Sequence, residues 1–336
     1  MKLNYLKIKF VIGVIFLSSF AAMAQGDGPR SFILLPKDVW AINARWLAMD
    51  QNLVPAGTIL VPNAEIDIDV FPITLYRTFS LGGRFAQLSF MFNPGSVAAS
   101  AKNVPPIVPL PTTTIKANGL SDGFVAFKVG LAGAPAVDVF SYMKKPMAFS
   151  LFADLRYWYS GKYDAASALN MGTNRPTYQI GLPMAIPLNK NLKRATWLEI
   201  SPSVMLFGDN KDPSRGTRAD KIEQAPVLSI ENHISHNFNP KFWVFANLLY
   251  RLGGKTTTDG VENNNKQNML GGGAGVGFQF TPFLGAYADY GTIFAGGPTD
   301  AESRMFRVAV NFSYVNTKKL KAKAQNGAAG TVPTTK

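Results

Sequence analysis

His233 and His236 are the only histidines, and the chain has no cysteine. On a strand, residues three apart point to opposite faces, which rules out joint metal ligation by this pair. Ser229 and Glu231 share the strand face of His233. A serine–histidine–carboxylate hydrolase is therefore one candidate chemistry, which Ser229→Ala or His233→Ala would test by loss of ester cleavage. The absence of cysteine excludes a thiol nucleophile, a Cys-ligated zinc, a disulfide framework and a lipidated N-terminal cysteine. Gly271, Gly273, Gly275 and Gly277 superficially suggest a phosphate loop. The G-x-G-x-x-G register does not fit and no helix follows, so that reading fails. No cofactor, no metal and no enzymatic activity are expected.

The charged residues recur on one parity of alternating segments. They are Arg45, Glu65, Asp67, Asp69, Arg77, Lys128, Asp154, Arg156, Glu199, Glu231, Arg251, Asp289 and Arg307. Apolar residues occupy the other parity. In 147–159, for example, Met147, Phe149, Leu151, Ala153, Leu155, Tyr157 and Tyr159 oppose Ser150, Asp154 and Arg156. Such period-2 alternation over about ten residues marks a strand with one apolar and one polar side.

Twelve such segments follow one another: 38–49, 64–79, 84–92, 124–131, 147–159, 177–188, 196–207, 225–235, 242–252, 270–280, 283–294 and 305–315. Pro72 interrupts the second and predicts a bulge. The connections alternate between short turns (80–83, 236–241, 281–282) and longer links (50–63, 93–122, 160–176, 208–224, 253–269, 295–304). The link at 132–146 is long for a periplasmic turn. Short inner turns, long outer loops and an even strand count are the pattern of a bacterial outer-membrane barrel.

Composition agrees. Of 336 residues, 47% are hydrophobic, including 24 Phe, 11 Tyr and 5 Trp, and only 16% are charged. That content excludes a disordered chain. Residues 1–24 read as a signal peptide, with Lys2, Lys7 and Lys9, an apolar stretch from Val11 to Leu17, and Ala22-Met23-Ala24 before the cut. No later run could form a membrane helix. An exported, aromatic-rich chain without such a helix is expected to cross the membrane as a closed barrel, because only helices and barrels satisfy their backbone groups in lipid. The fold class is thus all-β: a transmembrane antiparallel up-and-down β-barrel of about 12 strands over 38–315. Residues 25–37 are expected to form an N-terminal periplasmic segment that either hangs free or plugs the barrel. Residues 316–336 are expected to form a basic, disordered tail carrying Lys318, Lys319, Lys321, Lys323 and Lys336.

In that barrel the thirteen charged residues are expected to line the lumen, where they pair or form a constriction. Phe152, Trp158, Trp243, Phe245 and Tyr287 share their parity and belong either to the lumen or to interfacial girdles. The expected partners are outer-membrane lipid and lipopolysaccharide, the barrel-assembly machinery and a small-molecule solute. Nucleic acid is excluded by export, and the barrel is expected to be a monomer.

Several blocks carry a family resemblance: "DIDVFPITLYRTFSLGGR" (67–84), "SDGFVAFKVGLAGAP" (121–135), "NMGTNRPTYQIG" (170–181), "LFGDN" (206–210) and "GGKTTTDGVENNN" (253–265), with Gly28-Pro29-Arg30 ahead of them. Over about 28–315 the chain resembles the outer-membrane transporter family known as the MetA-pathway of phenol degradation family. The resemblance implies a barrel that takes up aromatic or other hydrophobic compounds, and it implies no catalytic residues. Two features depart from the pattern. Pro105, Pro106, Pro109 and Pro111 make 93–122 look like an inserted lid or stiff loop, and the chain runs about twenty residues past Val315. The resulting expectation is passive solute entry, with the mouth shaped by 93–122 and 160–176. The rival is a structural or adhesion barrel with a plugged lumen.

Overall fold

The first strand pairs with the last. Val39 lies opposite Val315 and Gln51 opposite Ser303, in unbroken antiparallel register. This seam closes a twelve-stranded up-and-down barrel and leaves the barrel sheet without an edge, the requirement for a sheet in lipid. The computed structural model describes residues 26–51, 64–101, 114–144, 147–214, 217–296 and 303–315. The expected signal peptide, the prolines of 105–111 and the basic tail lie outside the described residues.

The strands are β1 (Val39–Gln51), β2 (64–81, formed by Ala64–Val70 and Ile73–Leu81), β3 (Arg84–Ala101), β4 (Ile115–Ala132), β5 (Ser150–Tyr159) and β6 (177–187, formed by Thr177–Gly181 and Met184–Pro187). They continue with β7 (Thr196–Phe207), β8 (Val227–Asn237), β9 (Phe242–Gly253), β10 (Gln267–Thr281), β11 (Leu284–Gly296) and β12 (Ser303–Val315). Each alternates in exposure along its length. Apolar side chains such as Trp40, Ile42, Leu155, Ile180, Leu248 and Phe312 point outward and stay exposed, as a lipid-facing belt must.

The bulge expected at Pro72 is absent. Leu47 pairs with Val70 and Ala44 with Ile73, so two residues match two across the break, and β3 shows the same match. Proline lacks only the N–H. Its carbonyl still accepts from Arg45 N at 3.0 Å, and Phe71 N donates to Pro94 O at 2.8 Å. The irregularity falls instead between Met91 and Asn93, where β3 pairs with β4.

The link expected at 93–122 is also different. Asn93–Ala99 pairs with Ile115–Ser121, so most of this stretch is a hairpin that lengthens β3 and β4 to 18 residues each. The long inner link at 132–146 holds the short helix α1 (Val139–Lys144) and folds under the barrel. There Ala134 O accepts from Phe85 N, and Val137 O accepts from Lys37 N.

Residues 26–37 do not hang in the periplasm. They run up inside the barrel as a plug. Phe32 and Leu34 are buried, with Leu34 packed among Phe85, Ala134 and Phe152. The exit from the barrel is tied down by Thr78, whose hydroxyl donates to Pro36 O at 2.7 Å and accepts from Val39 N at 3.0 Å.

The glycines of β10 face inward, and neighbours fill the space. A Cβ on Gly277 would lie 2.0 Å from the Trp243 ring, and one on Gly275 would lie 2.4 Å from Phe245. The glycine face is therefore a seat for two large rings from β9. Gly277→Ala is expected to cost about 1–3 kcal/mol by overpacking, measured as a lower urea midpoint of the protein in detergent.

Candidate functional site: a plugged lumen with an outer chamber

Nine of the thirteen predicted residues face the lumen: Arg45, Lys128, Asp154, Arg156, Glu199, Glu231, Arg251, Asp289 and Arg307. The other four do not. Asp67 and Asp69 are exposed, and Glu65 shares their outward parity. At that level the rule of polar inside is inverted. The loop at 160–176 folds into the barrel mouth and brings Leu169 and Met171 against Leu47, Met49, Ile66, Ile68, Val70 and Val97. An apolar core inside the barrel pulls the isoleucines in and turns the acids out. Arg77 is also outward, near the inner end, with its guanidinium 4.7 Å from the centre of the Trp40 ring. Stem and ring lie against the apolar belt while the charge reaches the interface.

The inward charges fall into two groups. One braces the wall. Arg307 and Asp289 form a two-pronged pair, Nε–Oδ1 2.8 Å and Nη2–Oδ2 2.8 Å, with side chains 1% and 0% exposed. Asn247 donates to Asp289 at 3.0 Å and faces His233 Nδ1 at 2.6 Å through its oxygen. His233 Nε2 lies 2.7 Å from Glu231. Both ring nitrogens of His233 therefore face oxygen acceptors within the wall, and the Ser229–His233 pairing that hydrolysis would need does not form. His236 sits on the opposite face, 2.8 Å from the Thr196 hydroxyl.

The second group grips the plug. Glu231 accepts from the amides of Asp27 and Gly28, each at 3.0 Å. Glu199, fully buried, accepts from Arg30 N at 2.6 Å and Phe32 N at 2.8 Å. Arg156 bridges Asp27 (2.8 Å) and Asp154 (2.6 Å). Lys128 donates to Ser31 O at 3.2 Å. Arg30 stacks 3.8 Å over Trp243 and also reaches Asn237. Gly28 has φ +87°, and a Cβ there would lie 2.4 Å from the Tyr287 hydroxyl, so only glycine fits this turn. Phe152, Trp243, Phe245 and Tyr287 are thus lumen residues that pack beneath and around the plug.

Above the plug lies a chamber of about 170 Å³. Gly26, Asp27, Arg45 and Arg156 form its floor. Phe124, Trp158, Met91 and Met205 make an apolar side, with the Phe124 and Trp158 rings edge-to-face at 4.8 Å. Gln179, Ser203, Ser229 and Arg251 make a polar side. Thr173, Arg175, Gln224 and Gln267 surround the top.

Sequence reasoning did not single out Arg175, although it lies in the 170–181 block. The loop geometry explains that block. Asp122 accepts from the amides of Gly161 (2.9 Å) and Thr173 (3.0 Å) and from the Thr173 hydroxyl (2.6 Å). Asn174 bonds Asn210 at 2.9 Å. Arg175 is thereby delivered to the chamber, where burial pushes it down to about 10 against the pull of Asp122 and Asp209. The 253–265 block builds a second outer cap. Thr256–Thr258 pairs with Ile222–Gln224 and with Val261–Glu262.

The crystal structure of the COG4313 outer membrane channel from Pseudomonas putida F1 is similar over 85% of this chain and 99% of that one, with 15% identity and a TM-score of 0.67. The β domain of the Bordetella autotransporter BrkA matches over 82% and 100%, at 12% identity and a TM-score of 0.48. The Pseudomonas putida toluene transporter TodX matches over 88% and 94%, at 9% identity and a TM-score of 0.45. At 15% identity the likeness to the COG4313 channel is one of fold. No curated protein sequence matches the chain. A family model does match, over residues 63–329, which takes in every strand from β2 to β12. The chain belongs to the family described as "Putative MetA-pathway of phenol degradation".

Proposed function

We propose that this protein is an outer-membrane channel through which small solutes, aromatic or hydrophobic compounds among them, enter passively. The observation that carries the reading is the lumen itself. A chamber of about 170 Å³ stands above a floor made by a chain segment that is held only by hydrogen bonds, ion pairs and packing. Displacing that segment joins the chamber to the inner side. The membership of the chain in its family and the barrel fold support this assignment. The outer membrane has no nucleotide supply and the sequence no nucleotide motif, so the gradient drives transport. The described outer surface meets lipid and, at the outer leaflet, lipopolysaccharide. We assign folding to the barrel-assembly machinery and a monomeric state to the closed barrel.

The density of plug contacts favours one alternative, a permanently closed structural or adhesion barrel. Single-channel recording of the protein in a planar bilayer separates the two. Discrete current steps, enlarged by deletion of residues 26–36, are expected for a gated channel. A silent wild type and an equally silent deletion variant, both folded, would leave the closed barrel.

A further inference from the structure

Most carboxylates around the chamber already have work. Asp27 holds Arg156, Glu231 holds plug amides and His233, and Asp122 holds the 160–176 loop. Two of the arginines do not share in this. Arg175 is 5% exposed and Arg251 7% exposed, and both line the chamber. Among the described residues neither has an ion pair, and the Arg251 Nε and the Arg175 Nε and Nη1 have no hydrogen-bond partner. Arg175 reaches Gln224 through Nη2 and lies 4.9 Å from the Phe207 ring centre. Gln267, 3% exposed, has both amide atoms without a partner and lines the same space. A buried guanidinium with no carboxylate partner and with unpaired N–H groups is costly, so a site that keeps two of them is built for an anion.

The register extends this. Ser229 stands directly opposite Arg251 on β8, and Ser203 opposite Ser229 on β7. Gln179 donates to the Ser203 hydroxyl at 3.1 Å and accepts from Trp158 Nε1 at 3.0 Å. A belt of donors thus runs from the aromatic side of the chamber to Arg251. Facing it are the Phe124–Trp158 pair, Met91 and Met205. Size limits the guest, since a dry cavity of roughly 150 Å³ admits benzene.

We infer that the chamber binds a monocyclic aromatic carboxylate, with its ring against Phe124 and Trp158 and its carboxylate on Arg251, Ser229 and Arg175. This rests on the chamber belonging to a solute path, as proposed above. Binding can nevertheless be measured without transport, so the two readings fail separately.

The test is calorimetric titration of the full folded protein in detergent with benzoate, benzyl alcohol and inorganic phosphate. Benzoate is expected to bind more tightly than either of the others. Arg251→Gln is expected to weaken benzoate roughly 10- to 100-fold, the worth of a charge-assisted hydrogen bond, while leaving benzyl alcohol unchanged. Arg251→Lys, which keeps the charge, should retain part of the affinity and guards against a folding defect. Equal affinity for benzoate and benzyl alcohol, or an indifferent Arg251→Gln, overturns the anion site. Phosphate binding as tightly as benzoate overturns the aromatic specificity.

Discussion

Replacing Glu199 by glutamine is expected to loosen the plug and raise the open fraction of the channel by about tenfold or more. Glu199 is fully buried and accepts two plug amides, from Arg30 and Phe32. Glutamine keeps one acceptor oxygen, and its NH₂ group faces the second amide, donor against donor. An unsatisfied buried donor costs about 1–3 kcal/mol, and each 1.4 kcal/mol is a factor of ten in population. The chain has no cysteine, so a single Ser31→Cys gives a clean reporter on the plug. In the Glu199→Gln background that thiol should react faster with a membrane-impermeant maleimide, and bilayer recordings should show longer openings. Asp67→Asn is the control. Its side chain is exposed on the barrel exterior and should change neither reading. Unchanged labelling and conductance in Glu199→Gln would mean that packing of Phe32 and Leu34, not the carboxylate, holds the segment.

Arg307→Ala is expected to be the most destabilising single change in the lumen wall. The Arg307–Asp289 pair bridges β12 and β11 with both partners removed from solvent. Removing one member of a buried pair leaves an unpaired charge and costs about 3–5 kcal/mol. Here it would also strip the support of Asn247 and, through it, His233. The double variant Arg307→Met with Asp289→Leu removes both charges, and such replacements are often neutral. It should recover much of the loss. Urea unfolding of the protein in detergent, followed by tryptophan fluorescence, reads both. A double variant no better than Arg307→Ala would show that the wall needs the hydrogen bonds of Asp289 itself.

The alternation of 147–159 or 242–252 is visible to anyone counting residues, because a strand between lipid and lumen has two solvents and a period of two. From it the twelve strands, the lipid-facing side and the inward direction of nine of the thirteen charges assigned to the lumen follow without coordinates. Parity misled where the solvent inside the barrel changed. At 64–70 the interior is apolar, because Leu169 and Met171 fold in from a loop far along the chain, and so Glu65, Asp67 and Asp69 face out. Pro72 looked like a bulge because a missing donor is legible in sequence, whereas the register that absorbs it depends on both neighbours.

The sequence alone determined the barrel, its strand count and its lipid-facing surface, since these depend on local alternation and turn length. The tertiary structure alone decided what fills the lumen. That residues 26–37 are a plug follows from contacts such as Asp27 with Arg156 and Arg30 with Glu199, more than a hundred residues apart. That Arg251 stays unpaired while Arg307 is paired is equally invisible in a strand pattern. Both sit on inward parity, and only closure of the sheet decides which acceptor comes within 3 Å of each.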